Sequence, residues 1–355
     1  MNNDISEKYK KLSQREHILL KPGMYVGDIE LRNDDMWILD NEKIILKNIL
    51  WSPGFYKIFD EILVNAYDQT IRDKNVKNIK VNISQKRLSI MNDGVGIDVI
   101  KHPKYNIYIP ELIFGHLLTS TNYNVNEKRI TGGTHGLGAK LTAIFSKKFQ
   151  IEVWDKKRGL YYVQIFEDNL KIINKPKIIK LDALNTTAKT RGGIKITWYP
   201  DFEKFGMKQI DLDQEKLLGK RVYDLMGVTT DVKISLNDKE IKLNGWNNYI
   251  NLYQTSNLLS FNCGKNWNIA LGFNQLGTGQ VVSFVNGINT VKGGKHVEYV
   301  WSLLLPNIKK ILKGNIKDRI LKDHIQLFIK TNVVNPSFSS QTKESLMSPI
   351  SKLFT

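Results

Sequence analysis

Cysteine is nearly absent. Cys263 stands alone in 355 residues, which excludes an internal disulfide and an all-cysteine zinc site. No apolar run approaches the roughly 18 residues of a membrane-crossing helix. Residues 1–21 hold no signal-peptide apolar block. Internal repeats and low-complexity blocks are missing too. These absences argue against a secreted disulfide scaffold, a helical membrane protein and a disordered tail. Acid is the other shortage: 35 Asp and Glu against 52 Lys and Arg leave a formal charge of +17. That surplus suits a polyanionic partner, nucleic acid before membrane. A visible bias toward Lys, Asn and Ile is the competing source of the charge. The rest is ordinary for a globular chain, with 41% hydrophobic and 25% charged residues, and the length suggests about two domains.

Residues 1–28 read as a polar arm carrying His17-Ile18-Leu19-Leu20 before a Pro22-Gly23 turn. Phe55, Ile58, Phe59, Ile62, Leu63 and Ala66 follow a 3.6-residue period and predict a helix over 55–73, with Pro53 suited to its first turn. Ile79, Val81 and Ile83 alternate, as do Leu88 and Ile90, predicting two strands. A short helix is expected over 110–118, a glycine-rich loop over 131–138, and a helix over 139–145. More strands follow through 150–199. The pattern restarts near Val232, where the domain boundary is expected. Helix, hairpin, glycine loop and helix in that order predict a layered α+β sandwich.

Four clusters could carry chemistry. Glu61 and Asn65 share one face of the predicted helix, with Asp68 and Gln69 a turn further on. A solvated face is the competing reading, but Asn is a poor helix former. Its carbonyl is a good hard-cation ligand, and a Glu one turn away could orient a water. Asn92-Asp93-Gly94-Val95-Gly96 lets backbone approach a flat ligand. Asp93 could accept from an adenine amino group, although Asn-Asp-Gly is also an ordinary turn. Thr131-Gly132-Gly133-Thr134-His135-Gly136-Leu137-Gly138-Ala139-Lys140 has four glycines in a row of seven before a helix, so its amides could point at phosphate. It fits neither the Walker A loop nor the dinucleotide G-x-G-x-x-G. Ser339-Ser340-Gln341-Thr342-Lys343-Glu344 alone reads as a polar loop.

Together, in this order, these clusters resemble the N-terminal ATPase region of type IIA DNA topoisomerases, most closely the eukaryotic type. The residues that carry the resemblance are Glu16-His17-Ile18-Leu19-Leu20-Lys21-Pro22, YKIFDEILVNA at 56–66, LIFGHLLTSTNY at 112–123, residues 131–149 and 339–344. It implies an α+β chain in which a Bergerat (GHKL) ATP-binding sandwich over 29–232 is followed by a ribosomal-protein-S5-like transducer over 233–355. Glu61 then matches the general base and Asn65 the magnesium ligand. Asp93 stands at the adenine position. Ser120, Thr121 and Asn122 match the ribose and phosphate segment. Gly133, Thr134, His135, Gly136, Leu137, Gly138, Ala139 and Lys140 match the phosphate loop. Gln341, Thr342 and Lys343 match the transducer loop that reaches the γ-phosphate, and Tyr9 an arm tyrosine that touches the partner subunit's nucleotide. Lys309, Lys310, Lys313 and Lys317 lie where the family presents a basic loop to DNA.

The implied cofactors are ATP and Mg2+. The implied partners are double-stranded DNA and a second copy of the chain, joined at a nucleotide-dependent gate. A DNA-cleavage core is expected downstream, because the TOPRIM motif does not accompany Asp211-Leu212-Asp213. The setting implied is intracellular: nuclear, or viral. Tyr67, Gln69 and the Thr134-His135 pair depart from the family pattern. Together with the Lys/Asn/Ile bias, that drift suits a large DNA virus or a divergent protist. Another Bergerat ATPase, MutL-like or Hsp90-like, is the alternative, and a DNA-binding module with a decayed ATP site is a third reading.

Overall fold

The computed structural model describes residues 9–119, 129–133, 136–184, 192–264, 266–275, 277–314 and 316–354. The chain opens with helix α1 (Gln14–Leu20) and hairpin β1 (Arg32–Asp40) and β2 (Lys43–Trp51). The 20-residue helix α2 (Pro53–Arg72) follows. Its start is set by Ser52, whose hydroxyl accepts from the Phe55 amide, and by Pro53 in the first turn. Its apolar stripe, Phe55 to Ala66, is buried as the 3.6-residue period predicts.

Strands β3 (Asn78–Ile83) and β4 (Leu88–Asn92), helices α3 (Ile109–Gly115) and α4 (Gly138–Ile144), and strands β5 (Ser146–Asp155), β6 (Leu160–Glu167), β7 (Ile172–Ile173), β8 (Lys177–Lys180) and β9 (Gly193–Pro200) come next. Helix α5 (Leu212–Val228) begins at Asp211, which forms a reciprocal cap with Gln214. The Asp-Leu-Asp triplet is thus a helix start. Strands β10 (Lys233–Leu236) and β11 (Lys239–Glu240) complete a nine-stranded sheet in the order β11-β10-β3-β4-β9-β5-β6-β7, with β8 on β6. Helices α2, α4 and α5 cover one face of this sheet.

Helix α6 (Gly245–Asn251) packs on α5. A five-stranded sheet then forms in the order β12-β13-β16-β14-β15 from β12 (Ser256–Cys263), β13 (Trp267–Phe273), β14 (Val281–Val285), β15 (Ile288–Asn289) and β16 (Ile325–Thr331). Helices α7 (Lys295–Leu312) and α8 (Asp318–His324) lie between β15 and β16. The second sheet therefore begins later than the boundary expected at Val232, because Lys233–Leu236 pairs in parallel with β3. Ala270, Val282, Phe284 and Phe328 of the second sheet belong to the same continuous core as Phe59, Ile79 and Trp198 of the first. The two layers bury one another, and the cleft between them is fixed by packing.

The expected polar arm is corrected from Ser13 onward. Ser13 and Glu16 form a capping box, and α1 turns Ile18 inward to 2% exposure, with Val26 at 1%. His17 Nδ1 lies 2.9 Å from the Tyr25 hydroxyl. Ile18 and Val26, with Leu19 and Tyr25 packed beside them, dock this segment on its own domain. Residues 9–12 are exposed, with Tyr9 at 73%.

Candidate active site

Helix α2 runs along one wall of a cavity of about 380 Å³ and presents Glu61, Asn65, Asp68, Gln69 and Arg72 to it. These residues stand three or four apart, so a single helical face carries them. The floor is apolar, with Ile62, Ala66, Ile90, Ile97, Phe114 and Ile196. The far wall is Gly133 and the segment Gly136 to Lys140, and the rim is closed by Gln341 and Lys343 from the second layer. A flat apolar slot opening onto glycine amides and lysines suits a planar ring joined to an anionic tail.

Glu61 is buried, and its carboxylate lies in the field of two ammonium groups. Lys57 Nζ lies 2.8 Å from its Oε1. Burial pushes the Glu61 carboxyl up, but the Lys57 and Lys343 ammonium groups outweigh that and hold it below its ordinary value. The carboxylate is therefore ionised and able to take a proton. Gly138 makes room for it: a Cβ there would stand 2.1 Å from Glu61 Oε2.

The glycine loop is pinned from beneath. The amides of Gly132 and Gly133 donate to Asp68 Oδ1 and Oδ2 at 2.8 and 2.7 Å. Burial pushes Asp68 up, the two amides oppose it, and its net position is above the ordinary range. Gly133 thus lines the cavity, but its N–H is directed at Asp68 and not at a ligand. Gly138, Ala139 and Lys140, whose first-turn amides have no acceptor within α4, line the cavity. Lys140 Nζ donates to the carbonyls of Thr119 (2.6 Å) and Gly136 (2.5 Å), tying two loops together, and burial pushes it down to about 8.

Of the residues expected at the site, Glu61, Asn65, Gly133, Gly136, Leu137, Gly138, Ala139, Lys140, Gln341 and Lys343 meet in this one cavity. Thr342 does not line it; its methyl packs 3.4 Å from where a Gly27 side chain would begin. Tyr9 is not on the wall either. Ser120, Thr121, Asn122, Thr134 and His135 lie outside the described residues. Asp93 is a correction. Its Oδ1 accepts from the Lys77 and Asn78 amides at 2.7 and 2.9 Å, and its Oδ2 from Asn78 Nδ2 at 2.6 Å. Side chains alternate along β4, so Ile90 and Asn92 face the cavity and Asp93 faces away. Asn92 is the polar group on the floor. Lys57 was also missed; its signal was an i, i+4 spacing to Glu61.

Expected DNA-contact lysines cluster where α7 ends and α8 begins. Lys310, Lys313 and Lys317 are exposed, and Lys309 pairs with Asp318 at 2.5 Å.

Fold and cavity together define a GHKL-type ATPase module followed by a second α/β layer. A family model described as "Histidine kinase-, DNA gyrase B-, and HSP90-like ATPase" matches residues 52–173, and one described as "DNA gyrase B" matches 231–354. The probable DNA topoisomerase 2 of Dictyostelium discoideum is 41% identical over 360 residues, covering 98% of this chain and 23% of that protein. DNA topoisomerase 2 of Acanthamoeba polyphaga mimivirus is 40% identical over 362 residues, covering 96% of this chain and 28% of that protein. The crystal structure of the ATPase region of Saccharomyces cerevisiae topoisomerase II superposes with a TM-score of 0.93 at 41% identity, covering 99% of this chain and 93% of that one. The chain belongs to the type II DNA topoisomerases and corresponds to their ATPase region. It spans about a quarter of the length of the curated relatives it matches.

Proposed function

We propose that this chain binds ATP with Mg2+ and hydrolyses it, and that Glu61 is the general base. The observation that carries the reading is the convergence of an ionised, buried Glu61 from the first layer and Lys343 from the second on one cavity. The residues fit both groups. Asn65 offers one hard oxygen beside Glu61, and an octahedral Mg2+ that keeps several waters needs few protein ligands. When bound, the ion would neutralise charge on the triphosphate oxygens. Asn92 and the apolar floor would hold the adenine. The first-turn amides of α4, with Lys140 and Lys343, would face the phosphates and favour charge developing there. Glu61 would accept the proton of the attacking water.

Lys343 ties the second layer to the terminal phosphate, so hydrolysis would release a contact between the layers. In the full-length protein that switch would open and close a gate between two copies of the chain, as one DNA duplex passes through another. We divide the chain into an ATP-binding unit through residue 251 and a transducer unit from Ser256. The gyrase B match from residue 231 favours the earlier boundary, and sheet membership the later one. Glu61→Gln should keep nucleotide binding and lower the ATP turnover rate by roughly two to four orders of magnitude. Turnover near the wild-type rate would overturn the assignment.

A further inference from the structure

Among the described residues, the most heavily buried charges, Arg221 and Asp224, do not line the cavity. Arg221, on α5, is fully buried. Its Nε donates to Asp60 Oδ1 at 2.7 Å, and its Nη2 to the carbonyl of Gly287 at 2.8 Å. Gly287 lies in the β14–β15 turn of the second layer. That turn is rigid: Asn286 exchanges hydrogen bonds of 2.8 Å with the Val333 amide and carbonyl, and its own amide donates to Thr331. Tyr67 presses against Gly287, where an added Cβ would meet its ring at 2.4 Å. One guanidinium therefore touches the helix that carries Glu61 and a fixed point of the second layer.

Asp60 is not a bystander to Glu61. The Lys57 ammonium stands between the two carboxylates, 2.8 Å from Glu61 and 3.5 Å from Asp60. Both distances allow attraction, so the two carboxylates compete for one cation. Arg221 settles the competition by neutralising Asp60. A carboxylate this deeply buried cannot stay unpaired without heavy cost. Remove Arg221, and Asp60 draws Lys57 toward itself and away from Glu61.

We infer that Arg221 is a positioning residue for ATP hydrolysis: by holding Asp60 it assigns Lys57 to Glu61, and by holding the Gly287 carbonyl it ties that assignment to the seating of the second layer. The inference rests on the reading of Glu61 as the general base. Among the described residues, Lys57 and Asp60 from its own helix and Lys343 from the second layer act most strongly on Glu61; Asp68 and Arg72 of the same helix, Asp98 and Lys140 line the same cavity, and Arg221 acts through Asp60. Burial pushes Asp60 up, and Arg221 and Lys57 more than offset it, as a paired carboxylate between two cations requires.

The test is a charge-removal cycle read in steady-state ATP hydrolysis against pH. Arg221→Met should lower kcat about tenfold or more, part of the roughly 100- to 10,000-fold a positioned base contributes. The ATP KM should stay within about twofold, because the cavity wall is untouched. The acid limb of kcat should move to higher pH, since Glu61 loses part of its cation. Adding Asp60→Asn should restore most of the rate and return the limb, because no second carboxylate is left to claim Lys57. A merely structural role gives losses that add. If Arg221→Met does not fold, Arg221→Lys replaces it, since an ammonium cannot hold Asp60 and Gly287 with the same fork. Wild-type kcat and pH profile in the single variant, or no rescue in the double, would overturn the inference. Wild-type turnover in Glu61→Gln would instead overturn the underlying reading.

Discussion

Gly138→Ala isolates the geometry of Glu61 without touching any charge. The added methyl carbon would start 2.1 Å from Glu61 Oε2 and 2.9 Å from its Cδ. Ordinary contact needs about 3.5 Å, so the carboxylate must retreat by about 1 Å or more. Its side chain is flexible, so the protein can absorb the change by a rotamer shift. The ion contact with Lys57 would lengthen, and the carboxylate would leave the place where it meets the attacking water. A misplacement of about 1 Å costs on the order of 100-fold in rate. Folding should suffer little, because Gly138 sits at a helix start outside the left-handed region, where Ala gains roughly 0.4–1 kcal/mol by restricting the unfolded chain. The assay is kcat for ATP hydrolysis beside a thermal melt and the affinity for a non-hydrolysable ATP analogue. The expected result is a deep loss of kcat with Tm within a few degrees. Wild-type kcat would show that Glu61 does not depend on the space Gly138 leaves, and would refute the reasoning.

Asn92 and Asp93 should behave oppositely. Asn92→Leu should weaken ATP affinity by about tenfold, one hydrogen bond to a ligand, with a loss of stability of about 1 kcal/mol, because Asn92 Nδ2 also donates to the Asp93 carbonyl at 2.8 Å. Asp93→Leu should leave three half-buried donors, the Lys77 and Asn78 amides and Asn78 Nδ2, without this acceptor and lower stability by about 2 kcal/mol, more than Asn92→Leu, read by denaturant unfolding. The reverse pattern would put Asp93 back in the site. Exposed Lys310, Lys313 and Lys317 should give weak, sequence-indifferent duplex binding with a log–log salt slope near −0.9 per phosphate contacted. Replacing the three with Ala should flatten that slope in a fluorescence titration, and an unchanged slope would place the DNA surface elsewhere.

The long helix was legible because its apolar stripe is buried and its polar stripe lines a cavity, so one periodicity encoded both. The glycine segment was legible because close backbone approach leaves glycine as the residue that fits. Asp93 misled because a one-residue shift on a strand reverses the face, and the alternation through Ile90 held the answer in Asn92. The β1–β2 hairpin escaped notice. Its turn puts Asn41 and Glu42 at φ 46° and 62°, and Glu in the second place removes the usual Asn-Gly signal. Within the arm, Ile18, Leu19, Tyr25 and Val26 pack on the core, a docking that the polar composition around them concealed. Arg221 could not be read at all: its partners, Asp60 and Gly287, are far away in sequence on both sides, and only the fold joins them.

If nucleotide chemistry occurs at the cavity shared by both layers, Lys343 is the second layer's reporter of the terminal phosphate. Lys343→Ala tests it by equilibrium titration with ADP and with a non-hydrolysable ATP analogue, alongside turnover. Hydrolysis should slow, analogue affinity should fall by about tenfold or more, and ADP affinity should stay nearly unchanged. Equal losses of affinity for the two nucleotides would reduce Lys343 to general positive charge with no selective contact to the terminal phosphate.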